Sequence, residues 1–182
     1  MNAIKIFDLF DKDLLTQIDF WLDTESPYYD DDTWQPDGPK VYSLSNSYTN
    51  TLHKVLLDKA RDVFQIHNLL PSVSYLKWIE EGHSKDNSHI DKGPEEHTII
   101  YNYFSEGDFV FTHEAEQFVL ENNEAIAYSG ASFFHHIEQT KGAAIVFYFS
   151  FASSDNPYFK FGQYNKDGYI TYPSGEKHGY SQ

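Results

Sequence analysis

Val73-Ser74-Tyr75-Leu76-Lys77-Trp78-Ile79 is rich in β-branched and aromatic side chains and reads as a strand. A polar turn around Gly82 follows it, over residues 80–85. Residues 98–104, 108–112, 117–120, 124–128, 131–137 and 143–151 have the same character, and turn residues separate them. Seven or eight short strands spaced in this way predict a sandwich or a barrel.

The chain before this stretch is different. Leu14, Leu15, Ile18, Trp21 and Leu22 form one helical stripe, with Asp11 placed to cap it, so a helix is expected near residues 12–24. Residues 24–40 are rich in Asp, Pro, Gly and Tyr and read as a long loop. A second helix is expected over residues 50–68, burying Leu52, Val55, Leu56, Ala60, Val63 and Phe64. Pro71 stands where a proline is common beyond a helix end. Residues 153–182 are rich in Tyr, Gly and Ser and are expected to wrap the surface or to be partly mobile. Helices first and strands later make an α+β domain in which helices buttress one sheet of a jelly roll. The expected division is a helical support and loop over 1–72, a jelly-roll core over 73–152 and a C-terminal extension over 153–182, all in one domain.

Composition removes several classes of function. The 182 residues carry 28 acidic against 13 basic side chains, a formal charge of −15. That balance opposes binding to nucleic-acid phosphates and to anionic membranes. There is no cysteine, which excludes disulfides, thiolate zinc sites and a cysteine nucleophile. The N-terminal residues do not read as a secretory signal, and no apolar run is long enough for a transmembrane helix, so a cytoplasmic protein is expected. Gly-x-Ser-x-Gly and phosphate-loop patterns are absent. Nothing in the pattern specifies an oligomeric state.

Chemistry concentrates at His89-Ile90-Asp91 and at Phe133-Phe134-His135-His136. Residues i and i+2 of an extended segment point to the same face, so His89 and Asp91 present an imidazole and a carboxylate together. A further imidazole from residues 133–136 completes two histidines and one carboxylate. Such a set holds a metal on one face and leaves the other open, as in non-haem Fe(II) oxygenases. His83, Asp86 and His97 lie nearby in sequence, and Tyr28, Tyr29 and Trp34 are candidates for a lid from the long loop.

In this order the stretches resemble the 2-oxoglutarate and Fe(II)-dependent oxygenases, in the prolyl 4-hydroxylase-like branch. The similarity runs over residues 73–152. It rests on Tyr75 to Gly82, Asn87-Ser88-His89-Ile90-Asp91, Ile99-Ile100-Tyr101-Asn102-Tyr103-Phe104, Gly107-Asp108-Phe109-Val110-Phe111, and His135-His136-Ile137-Glu138 before Gly142. Ile4-Lys5-Ile6-Phe7-Asp8-Leu9-Phe10, followed by a helix, resembles that family's entry element. The resemblance implies a double-stranded β-helix, a jelly roll like that of the cupins. It implies Fe(II) on His89, Asp91 and His135, with 2-oxoglutarate and O₂ as cosubstrates and ascorbate as reductant. His135 is preferred to His136 because the family places an apolar residue two positions after its ligand, and Ile137 fits where Glu138 does not.

One position departs from the family. A basic residue is usual about nine positions after the distal histidine, where it pairs with the far carboxylate of 2-oxoglutarate, and this chain has Ala144 there. An unpaired carboxylate inside a barrel is costly, so another cation is required. Arg61 is the only arginine. Lys77 is the first choice and Lys141 the second, with a hydroxyl from Tyr101 or Tyr103. The implied activity is hydroxylation of a prolyl or other peptidyl residue or of a free amino acid. The alternative is a cupin-like metal-binding protein, non-catalytic or with an altered cosubstrate. A metal-dependent hydrolase or isomerase would need a buried base, for which Glu80, Glu81 and Glu138 are the candidates.

Overall fold

The computed structural model of the chain describes residues 2–24, 30–31, 41–44, 47–80, 88–91, 95–139, 142–156, 159, 163–164, 169–171 and 177–179. Strand β1 (Ile4–Phe7) leads into helix α1 (Lys12–Thr24), and short strands β2 (Asp30–Asp31) and β3 (Val41–Leu44) follow. Helices α2 (Ser47–Val55) and α3 (Leu57–Phe64) come next. The main run of strands is β4 (Leu69–Ile79), β5 (His97–Ser105), β6 (Phe109–His113), β7 (Glu116–Leu120), β8 (Glu124–Tyr128), β9 (His135–Gln139) and β10 (Ala144–Ser153). Three short strands, β11 (Gln163–Tyr164), β12 (Tyr169–Thr171) and β13 (Lys177–Gly179), form a small sheet of their own.

The architecture is mostly antiparallel sheet with few helices. Seven strands make the large sheet, in the order β1-β8-β5-β10-β4-β3-β2, and a three-stranded sheet runs β7-β6-β9. Strand β10 is central, paired with β4 on one side and β5 on the other. Its residues are buried on both faces, which is why 143–151 is an almost unbroken apolar run. Phe147, Phe149 and Phe151 face the helices, packing with Ile18, Trp21, Leu52 and Ala60. Ala144, Val146 and Tyr148 face the other way and pack with Phe109, Phe111 and Ile137 of the small sheet. The helices thus cover one face of the large sheet and the three-stranded sheet covers the other. Among the described residues no helix is long and apolar enough to cross a membrane.

Most expected elements are present, with informative shifts. Asp11 caps α1, its Oδ1 accepting from the Leu14 N–H at 2.8 Å. The helix expected over 50–68 begins at Ser47 and is interrupted at Leu56, whose backbone has φ −79° and ψ −9°. Bonds from Leu56 N–H to the Leu52 carbonyl and from Ala60 N–H to the Leu56 carbonyl carry the chain across the interruption. Gln65 ends α3 by turning into the left-handed region at φ 57°. Strand β4 therefore starts at Leu69, ahead of the expected 73, and Pro71 lies inside it. The proline is tolerated because it faces Phe151, beside a register shift between Phe149 and Phe151. The strand expected over 131–137 begins only at His135, because residues 130–132 form a turn. Strands β1 and β3 were not expected. Tyr28, Tyr29 and Trp34 lie outside the described residues.

Phe147 is fully buried, with its ring near those of Trp21, Tyr101, Tyr103 and Phe149. Phe147→Ala should lower unfolding stability by about 3–5 kcal/mol. Urea titration followed by circular dichroism checks this, and a loss under about 1 kcal/mol would mean that the helices do not close over this face.

Candidate metal centre

His89 and His135 are far apart in sequence but joined directly by the backbone. The His89 N–H donates to the His135 carbonyl and the His135 N–H to the His89 carbonyl, each at 3.0 Å, as an isolated antiparallel bridge. The two imidazole centroids are consequently 4.6 Å apart. Asp91 is fixed by a parallel device, its N–H donating to the Gly130 carbonyl at 3.0 Å. Gly130 also leaves room for the carboxylate, since a Cβ there would stand 1.9 Å from Asp91 Oδ2.

The side chains of the three residues converge. Nε2 of His89 and Nε2 of His135 each lie 3.4 Å from Asp91 Oδ1, and one ligand atom from each of the three residues falls within 4.8 Å of the others. Donors at adjacent corners of a metal with bonds of about 2.1 Å are about 3 Å apart, so the set needs little adjustment to receive an ion. His135 Nδ1 is 3.1 Å from the Phe133 carbonyl. A proton on Nδ1 is donated there, which leaves the Nε2 lone pair facing the centre. Burial pushes the Asp91 carboxyl up, but the imidazoles of His135 and His89 more than offset this and hold it below the usual carboxylate range. Two neutral donors and one anionic donor suit a divalent transition metal. His136 borders the same cavity but is not part of the cluster.

The cluster stands on the wall of a cavity of about 380 Å³. Lys77 also lines it. The lysine sits on β4 opposite Val146 of β10, whose face it shares with Ala144. Its Nζ lies 5.7 Å from the Tyr75 ring centroid and 5.5 Å from that of Tyr148. Ala144 itself is fully buried between Ile79 and Ser105. Lys141 lies outside the described residues, as do Glu81, His83 and Asp86. Arg61 is tied elsewhere, donating to Asp58 at 3.1 Å and to the Leu69 carbonyl at 3.2 Å.

Tyr101 and Tyr103 are not brought to this cavity, which corrects their expected place. On β5 they share the helix-facing side with Ile99, whereas Thr98 faces the cavity. The Tyr101 hydroxyl donates to Asn123 Oδ1 at 2.7 Å and the Tyr103 hydroxyl to Asp19 Oδ1 at 2.5 Å. His97 is also on the helix side, with Nδ1 3.1 Å from Ser129 Oγ. The tyrosines that do line the cavity are Tyr75, Tyr128 and Tyr148. Sequence reasoning passed over them, although Tyr75 shares strand parity with Lys77. It also passed over Glu95, which lines the cavity. Burial and the charge of Asp91 push the Glu95 carboxyl up to about 7, against the opposing influence of Lys77 and His89.

Gly130→Ala should displace the Asp91 carboxylate and weaken Fe(II) or Co(II) binding by about 10–100-fold, as disturbing a ligand's support commonly does. Calorimetric titration measures this, with circular dichroism confirming the fold. Unchanged affinity would remove Asp91 from the coordination sphere.

No protein-family model matches the sequence, and no match is found among the curated proteins. Solved structures do match. An oxidoreductase of the 2OG-Fe(II) oxygenase family from Burkholderia pseudomallei is 14% identical, with a TM-score of 0.62 over 85% of this chain and 86% of that one. A viral collagen prolyl hydroxylase from Paramecium bursaria Chlorella virus-1, solved as its 2OG complex, is 9% identical, with a TM-score of 0.58 over 84% of this chain and 96% of that one. A Trichoplax adhaerens prolyl hydroxylase, solved with a peptide fragment of the hypoxia inducible factor oxygen degradation domain, is 8% identical, with a TM-score of 0.57 over 84% of each chain. The fold of this chain is the one that these oxygenases and prolyl hydroxylases share.

Proposed function

We propose that this chain is an Fe(II)- and 2-oxoglutarate-dependent oxygenase that hydroxylates a C–H bond. The observation that carries the proposal is the cluster of His89, Asp91 and His135 on the wall of a cavity that also contains Lys77. In this reading residues 1–182 act as one oxygenase domain whose two facing sheets form a double-stranded β-helix. His89 Nε2, Asp91 and His135 Nε2 hold Fe(II), and 2-oxoglutarate, O₂ and ascorbate complete the cofactor set. When bound, iron would let O₂ act as the oxidant, with 2-oxoglutarate giving two electrons as it becomes succinate and CO₂ and the C–H bond giving the other two as it becomes C–OH.

The protein's own residues bind, orient and enclose. His135 and Asp91 are held by backbone bonds and by Gly130, so the donors would meet the metal with little rearrangement. Lys77 takes the place of the basic residue missing at Ala144, reaching the same face from the neighbouring strand. Its ammonium lies near the rings of Tyr75 and Tyr148, inside the cavity where it would meet the distal carboxylate of 2-oxoglutarate. Ile137, buried beside the site, keeps the wall apolar next to His135. The substrate is a small molecule or a peptide or protein side chain, with a prolyl or other amino-acid residue as the class that the structural neighbours suggest. A binding protein without catalysis has no use for an open three-donor face together with a cavity cation, so that alternative is the weaker one.

Succinate formation from 2-oxoglutarate with Fe(II) and ascorbate tests the proposal, and His135→Ala should abolish it. Lys77→Ala should raise the half-saturating 2-oxoglutarate concentration at least about tenfold, since losing one charged partner costs about 1.5–3 kcal/mol. Fe(II) affinity should be unchanged in that variant. An unaltered 2-oxoglutarate requirement in Lys77→Ala would remove the lysine from this role, and failure of the wild type to bind millimolar 2-oxoglutarate with metal present would refute the oxygenase reading.

A further inference from the structure

The charges of the cavity do not balance once the oxygenase cofactors are placed in it. A divalent iron offsets Asp91 and one carboxylate of 2-oxoglutarate, and Lys77 offsets the other carboxylate. Glu95, which lines the same cavity, is then left over. Its carboxylate is influenced by burial and by the charges of Asp91, Lys77 and His89, with no hydrogen bond contributing among the described residues. Such an acid is neutralised either by a proton, toward which burial and the charge of Asp91 push it, or by a second cation, which displaces that proton when it binds. The Lys77 ammonium is assigned to the cosubstrate in the proposed function, and among the described residues no other lysine or arginine lines the cavity, so the bound substrate is the source of that cation.

We propose that Glu95 selects the substrate by receiving a cationic group, an ammonium or a guanidinium, on the molecule whose C–H bond is oxidised. The inference rests on the oxygenase reading and adds the substrate class to it: a basic amino acid, a basic side chain of a peptide, or an amine of similar size. Glu95 lines the same cavity as His89, Asp91 and His135, so a cation bound to it sits in the space that the metal face borders. The cavity volume of about 380 Å³ suits a side chain or a small amine. The formal charge of −15 favours approach of a cation over that of an anion.

The test uses the complex of the full chain with Fe(II) and 2-oxoglutarate under anaerobic conditions. Its formation is followed by the visible charge-transfer absorption of Fe(II)–2-oxoglutarate. The probes are n-butylammonium, n-butylguanidinium, neutral n-pentanol and anionic pentanoate. Binding and proximity are read from paramagnetic relaxation of the probes' methylene protons by the iron. At least one cation should bind about tenfold or more tighter than pentanol, and pentanoate should bind no better than pentanol. Glu95→Gln and Glu95→Ala should bring the cations to the level of pentanol while the charge-transfer absorption still forms, which also shows that the variants are folded. Equal binding of cations and pentanol by the wild type, or a cation preference that survives in Glu95→Gln, overturns the inference and leaves the oxygenase reading intact. Absence of the charge-transfer absorption in the wild type overturns the oxygenase reading itself, and the inference with it.

Discussion

The reciprocal backbone hydrogen bonds between His89 and His135 are the constraint on which the rest of the site depends. They convert a separation of more than forty positions into two imidazoles whose centroids are 4.6 Å apart. The bridge sits at the start of β9, at the edge of the three-stranded sheet, so the donors meet only where residues 88–91 lie against that sheet. Gly130 adds the second condition. It accepts the Asp91 N–H and leaves open the space that the carboxylate fills. The donor set is therefore a product of tertiary structure, held by main-chain atoms and not by the flexible side chains themselves. That arrangement keeps the cost of organising the site low when a metal arrives.

The role proposed for Lys77 follows from its place in the sheet. Strands β4 and β10 are hydrogen-bonded neighbours, and Lys77 faces Val146 across the pair. A cation moved from one strand to the next can still point into the same cavity, because the side chains of both strands alternate in step. The space left at Ala144 is filled by the core around Ile79, Ile100 and Val146. Among the described residues, Glu95 and the three cavity tyrosines give this pocket aromatic walls, one lysine and two carboxylates.

Much of this was legible in the sequence, for physical reasons that differ from element to element. The His-x-Asp pair could be read because i and i+2 share a face in any extended segment. Strands β6, β7, β8 and β10 could be read because short apolar runs stand between turn residues. The side of the sheet that Tyr101 and Tyr103 face could not be read, because β5 is buried on both faces and shows no polar alternation from which to set its parity. Glu95 was hidden for a related reason: one of two adjacent acids, Glu95 and Glu96, in a polar segment of an acidic chain looks like surface. Gly130 gave no signal of its own, since its role depends on Asp91 arriving from another part of the chain. The interruption at Leu56 is likewise invisible to periodicity, because the hydrogen bonds on either side of it keep the apolar stripe almost in phase.

A crystal structure of the protein with Mn(II), a redox-quiet substitute for Fe(II), and 2-oxoglutarate would test the account most directly. The account predicts Mn(II) bound by His89 Nε2, a carboxylate oxygen of Asp91 and His135 Nε2, at about 2.0–2.2 Å. It also predicts 2-oxoglutarate chelating the metal, with its distal carboxylate against Lys77 Nζ. Metal held through His136 in place of His135, or 2-oxoglutarate bound with its distal carboxylate turned away from Lys77, would contradict it.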